Sequence, residues 1–99
     1  EAWIAARNAI FRERLQILVD GLASLGIAAP LPRAALYLWA PVPVGEAAEA
    51  LARRWLEEAG VAVAPGSFFG PAGGAYIRIS ITAPTARIHE AIARLQQLG

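Results

Sequence analysis

The sequence predicts an α+β fold: a two-layer small domain with helices packed on one face of a small, mostly antiparallel sheet. Three observations carry this. Apolar residues recur at helical spacing in three separate stretches, YIRIS alternates in period two, and LYLWAPV gathers large apolar and aromatic residues in one run. In chain order these give helix, strand, helix, strand, strand, helix.

From Ile4, the residues Phe11, Leu15, Leu18, Leu22 and Leu25 fall three, four or seven apart, with Arg7, Arg12 and Arg14 between them. That stripe lies along one side of a long amphipathic helix. Gly26 suits the left-handed residue that ends a helix, and Pro30 and Pro32 keep helix from resuming. Residues 36–42 then read as a strand, because bulky apolar and aromatic side chains fit a pleated, half-buried surface. Pro41, Pro43 and Gly45 break it. Ala48, Leu51, Ala52, Trp55 and Ala59 mark the buried face of a second helix, capped by Gly60. Its other face places Glu49, Arg53 and Glu57, and also Arg54 and Glu58, four apart, where exposed ion pairs contribute only about 0.2–0.5 kcal/mol each.

Residues 61–64 are expected to form a short buried strand, followed by a loop over 65–75 and a strand over 76–82. In that last strand Ile77, Ile79 and Ile81 share one face, while Tyr76, Arg78 and Ser80 share the other. The isoleucines can pack on helices, and Arg78 then looks out from the sheet. Pro84 opens the final helix, whose stripe is Ile88, Ala91, Ile92, Leu95 and Leu98.

Composition narrows the function classes. Ninety-nine residues suffice for one domain, residues 1–99, with a core that is marginal on its own. Apolar residues reach 57% and the mean hydropathy is +0.44, above the usual proportion of about 45–50%, so some apolar surface is expected to face a partner. The net charge is +1 and the nine basic residues, all arginine, are spread along the chain, which leaves no electrostatic footprint for nucleic acid. Cysteine is absent and His89 is the single histidine, so no metal site is expected. No apolar run approaches the span of about 18 residues that crosses a membrane, so a soluble protein is expected, with the cytoplasm as default compartment. Glu1 already lies in a helical pattern, which suggests a piece of a longer polypeptide.

Several residues invite a chemical reading and lose it on inspection. Gly66, Gly70, Gly73 and Gly74 sit in a loop that enters a strand, whereas a phosphate cradle leads into a helix N-terminus. Ser67 in GSFFG lacks the spacing of a nucleophile elbow. Trp3, Trp39 and Trp55 fall on helical or strand patterns and are expected to pack in the core or at a domain interface. Arg78 is different. A guanidinium costs several kcal/mol, on the order of 2–5, to bury unless an anion meets it. From the strand alone that anion is either a glutamate of this chain or a ligand carboxylate.

With these elements placed, the chain resembles the C-terminal small domain of pyridoxal-phosphate-dependent aminotransferases of class I and II, the fold type I enzymes. The resemblance runs through RERLQILVDGLASLG, LYLWAPVP, LARRWLEEAGVAVAPGSFFGPAGGAYIRIS and IHEAIARLQQLG, and covers nearly the whole chain. PGSFFGPAGG followed by YIRIS is its specific part. Phe68, Ala34, Ala35 and Gly74 depart from residues commoner at those places, and none of these changes touches Arg78.

The resemblance implies that Arg78 grips the α-carboxylate of an amino acid or 2-oxo acid substrate, with Phe69 and Gly70 lining or shaping the approach. A planar fork of donors matches a carboxylate with two parallel hydrogen bonds, which a lysine cannot do. It implies pyridoxal 5'-phosphate as cofactor, a large domain of the same enzyme as partner, and a homodimer. The cofactor chemistry needs a lysine amine, and this sequence has no lysine, so no catalytic or cofactor-binding residue is assigned in it and the cofactor would be held by the large domain. Carbon–sulfur lyases and acyl-transferring synthases share much of such a domain and remain open, as does a free-standing α+β module that binds amino acids for regulation. Aspartate, an aromatic acid and a diaminopimelate-type compound all remain open as substrate.

Overall fold

The computed structural model describes residues 2–32, 36–69 and 74–98. Its elements are α1 (Ala2–Ala23), β1 (Tyr37–Pro41), α2 (Ala48–Ala59), β2 (Ala64–Pro65), a 3-10 turn (Gly66–Phe69), β3 (Tyr76–Ser80) and α3 (Thr85–Leu98). This is the expected α+β order. The sheet has the order β1-β3-β2 and both pairings are antiparallel, so the last strand in sequence is the central one.

The helical stripes become one core. Leu15, Leu18 and Leu22 from α1, Leu51 and Trp55 from α2, and Ile88, Ile92 and Leu95 from α3 close over Leu38, Ala40, Ile77 and Ile79 of the sheet. Every residue assigned to the apolar face of α2 is buried. In α3 the stripe fades toward its end, with Ala91 half-buried and Leu98 exposed. Gly21 lets α1 and α3 approach closely, since a Cβ there would lie 2.5 Å from Cδ1 of Ile92. Gly60 ends α2 in the left-handed conformation, φ +69°, with its own amide bonding the Leu56 carbonyl and the Val61 amide bonding the Trp55 carbonyl at 3.1 Å each.

That cap explains one correction. Residues 61–63 were expected in a strand over 61–64, yet β2 begins only at Ala64. The Val61 amide is committed to the helix end, and the pairing register reaches only Ala64 opposite Arg78 and Pro65 opposite Ile77. The other strands lose residues at their ends: β1 spans five of the seven expected, and β3 stops at Ser80 rather than at Thr82. The ion pairing of α2 also differs. Arg54 meets Glu46, eight residues earlier, at 2.8 Å, and Glu49 accepts a hydrogen bond from Ser67.

Candidate carboxylate-binding face

Burial in β3 alternates strictly: Ile77 and Ile79 are inside, Tyr76 and Ser80 outside, and Arg78 half-buried between them. The two isoleucines are held by the helix layer, which forces Arg78 to the opposite face of the sheet. Because β3 is central, Arg78 has neighbours on both sides, Trp39 in β1 and Ala64 in β2. It stands in the middle of the face on which, among the described residues, no helix packs.

Aromatic side chains surround it. In β1 the residues Tyr37 and Trp39 point the same way as Arg78, and Tyr76 precedes it on its own strand. Tyr37, Trp39 and Tyr76 are 38%, 42% and 42% exposed, so three large rings lie open around one cation. Together they form a partly open aromatic rim about a half-buried charge. The pairing of Tyr37 with Ser80 makes Tyr37 the diagonal neighbour of Arg78, and the guanidinium carbon lies 4.0 Å from the centre of the Tyr37 ring. Arg78 and Trp39 each make a further interaction beyond these.

A 3-10 turn follows β2 directly, over Gly66–Phe69. Ser67 donates a hydrogen bond of 2.6 Å to Oε2 of Glu49 on α2, which ties the turn to the helix and holds the Glu49 carboxyl below its ordinary value. Phe69 closes the turn. Gly70 and Gly73 lie outside the described residues, as do Ala34 and Ala35.

Of the other residues weighed from sequence, His89 is exposed on α3, Trp55 is in the core, and Trp3 is 65% exposed on α1. Among the described residues no group of three or more His, Cys, Asp or Glu could hold a metal ion, and no helix is long and apolar enough to cross a membrane. A groove of about 620 Å³ runs between residues 60–63 and α3, lined by Val61, Val63, Ile88 and Arg87 among others. It contains neither Arg78 nor its ring neighbours.

Two residues were missed from sequence. Arg14, read only as lying between the apolar positions of α1, is half-buried and donates from Nε to Thr85 Oγ1 and from Nη1 to the Ile81 carbonyl, both at 3.0 Å, which fastens the exit of β3 to α1. Tyr37 was read only as a strand residue. The alternation of Tyr37 and Trp39 with Leu38 and Ala40 put both rings on one face, but nothing local said that this face would be shared with Arg78.

A family model described as aminotransferase class I and II matches residues 1–95. The LL-diaminopimelate aminotransferase of Desulforudis audaxviator is 47% identical over 87 residues, which cover 88% of this chain and 22% of the relative. Among solved structures, an aromatic aminotransferase from Pyrococcus horikoshii OT3 matches with a TM-score of 0.88 and 29% identity, covering 97% of this chain and 26% of that one. The L,L-diaminopimelate aminotransferase from Chlamydomonas reinhardtii matches with a TM-score of 0.82 and 28% identity, covering 91% and 22%. The chain thus spans about a quarter or less of the length of these proteins.

Proposed function

Because the chain belongs to the aminotransferase class I and II family, we propose that residues 1–99 are the small domain of an enzyme that moves an amino group between an amino acid and a 2-oxo acid. Arg78 grips the substrate α-carboxylate. The observation that carries this is its place at the centre of the helix-free sheet face, half-buried within an aromatic rim. Charge-assisted, two-pronged hydrogen bonds strengthen where neighbouring rings displace water, so this setting suits a carboxylate better than an open surface would. Phe69 and Gly70 shape the entrance from the loop side. The LL-diaminopimelate name shared by curated relatives at 37–47% identity supports that compound as amino donor.

Pyridoxal 5'-phosphate does not fit the residues of this chain. The sequence has no lysine to condense with the cofactor aldehyde, and its glycine-rich loop enters a strand rather than a helix. The cofactor is assigned to residues outside 1–99, and this chain supplies the grip and orientation of the carboxylate. The same reading makes the enzyme a cytoplasmic homodimer in which the rim of Tyr37, Trp39 and Tyr76 is covered by a larger domain. Their exposure supports a covering partner.

The test is steady-state transamination by the cofactor-loaded holoenzyme, with L,L-diaminopimelate as donor and 2-oxoglutarate as acceptor. Arg78→Ala should lose about 2–5 kcal/mol of substrate binding, a fall in kcat/KM of about 30-fold to a few thousand-fold. Arg78→Lys should restore little of it, since an ammonium cannot present two parallel donors. Unchanged kcat/KM in Arg78→Ala would overturn the grip. Turnover of aspartate or an aromatic amino acid in place of diaminopimelate would correct the substrate alone.

A further inference from the structure

The contact between Tyr37 and Arg78 goes beyond what the carboxylate grip requires. A long arginine side chain has many rotamers, and freezing those it retains costs free energy at the moment a ligand binds. Tyr37 removes part of that cost beforehand. Its ring holds the guanidinium carbon at 4.0 Å, close stacking distance for a cation over an aromatic face. The register makes the contact possible: Tyr37 pairs with Ser80, which places its ring diagonally across from Arg78 on the same face of the sheet.

The geometry of the two groups makes the contact compatible with binding. A ring stacked on a guanidinium occupies its flat face, whereas a carboxylate approaches in the plane of the N–H donors. With the guanidinium carbon 4.0 Å over the ring centre, the two partners can use different sides of one cation. Tyr37 is held in turn by its strand, whose alternate residues Leu38 and Ala40 are fully buried.

We propose that Tyr37 is a positioning residue that presents the plane of the Arg78 guanidinium to the substrate carboxylate, an inference that rests on Arg78 being the carboxylate anchor. Tyr37 touches no reacting atom in this account. It acts through Arg78 alone, in the ground state and the transition state alike, so its loss should appear in KM with kcat nearly unchanged.

The experiment is a double-mutant cycle in the cofactor-loaded holoenzyme with L,L-diaminopimelate and 2-oxoglutarate. Tyr37→Leu, which keeps bulk but removes the aromatic face, should raise KM for the amino donor by about 3- to 30-fold, the range of a cation–π contact. Tyr37→Phe keeps the face and should restore KM to within about twofold of the parent. In an Arg78→Ala background, Tyr37→Leu should add less than about a twofold further change, because there is then no guanidinium to orient. Full additivity, or a Tyr37→Phe variant as impaired as Tyr37→Leu, would overturn the positioning role while leaving the grip intact. An Arg78→Ala enzyme with normal KM and kcat would instead remove the anchor itself.

Discussion

Gly21→Ala tests the packing that holds the helix layer under the sheet. A methyl group at Gly21 would sit 2.5, 2.7 and 2.8 Å from Cδ1, Cγ1 and Cγ2 of Ile92. The nearest approach is about 1 Å short of the roughly 3.5 Å at which carbon atoms attract best. Three atoms of one side chain are in the way, so moving the tip alone relieves nothing. Isoleucine within a helix keeps one χ1 rotamer about 90% of the time, and Ile92 is buried, so relief must come from separating α1 and α3. Overpacking of this kind costs about 2 kcal/mol, while alanine in place of glycine inside a helix returns up to about 1 kcal/mol. A net loss of about 1 kcal/mol is expected. Urea unfolding of the holoenzyme should show a lower midpoint at unchanged slope. In Ile92→Ala, which removes all three opposing atoms, Gly21→Ala should cost nothing or stabilise, a coupling of about 1–2 kcal/mol. A Gly21→Ala protein as stable as the parent, with no coupling to position 92, would refute the close approach of the two helices.

Gly60→Ala should lower the thermal midpoint by the equivalent of about 1–2 kcal/mol, because φ is +69° and the added methyl would lie 3.0 Å from Arg94 Nη1. Gly60→Asn, which tolerates the left-handed region better, should lose less, and equal losses would count against backbone strain as the cause. Glu49 gives a pH effect of defined sign. Its folded carboxyl is held below the ordinary value of 4.5, first by the Ser67 hydrogen bond, so the stabilisation is complete above that value and disappears as pH falls through the lowered one. Ser67→Ala should move the Glu49 titration upward when followed by carboxyl-carbon NMR, and a titration that stays put would show that Ser67 is not the cause.

Elements whose stabilising contacts lie within one turn or one pleat could be read directly from sequence. The face of α2 formed by Ala48, Leu51, Ala52, Trp55 and Ala59 is buried as its spacing predicts, and Gly60 takes the left-handed cap. Helical periodicity is local, so four or five residues suffice to set which side is inside. Charge pairing was less legible, because Arg54 can reach Glu46 as easily as Glu58 and the fold of the connecting loop chooses between them. The role of Arg14 was not legible for a related reason. Its place beside the apolar stripe does not say that its guanidinium will reach Thr85 and the Ile81 carbonyl, 71 and 67 residues on.

By itself the sequence determined the two-layer class, the inward isoleucines of YIRIS and therefore the outward direction of Arg78, since alternation along a strand is a property of the backbone. Tertiary structure alone decided the neighbours. That β3 is central, that Trp39 stands opposite Arg78, that Tyr37 lies beneath its guanidinium and that β2 shrinks to Ala64–Pro65 all depend on strand register. Register is set by pairing between segments about forty residues apart in β1 and β3, and a shift of one residue would turn every ring to the other face. The cation is written into the chain, and its aromatic setting exists only once the strands have met.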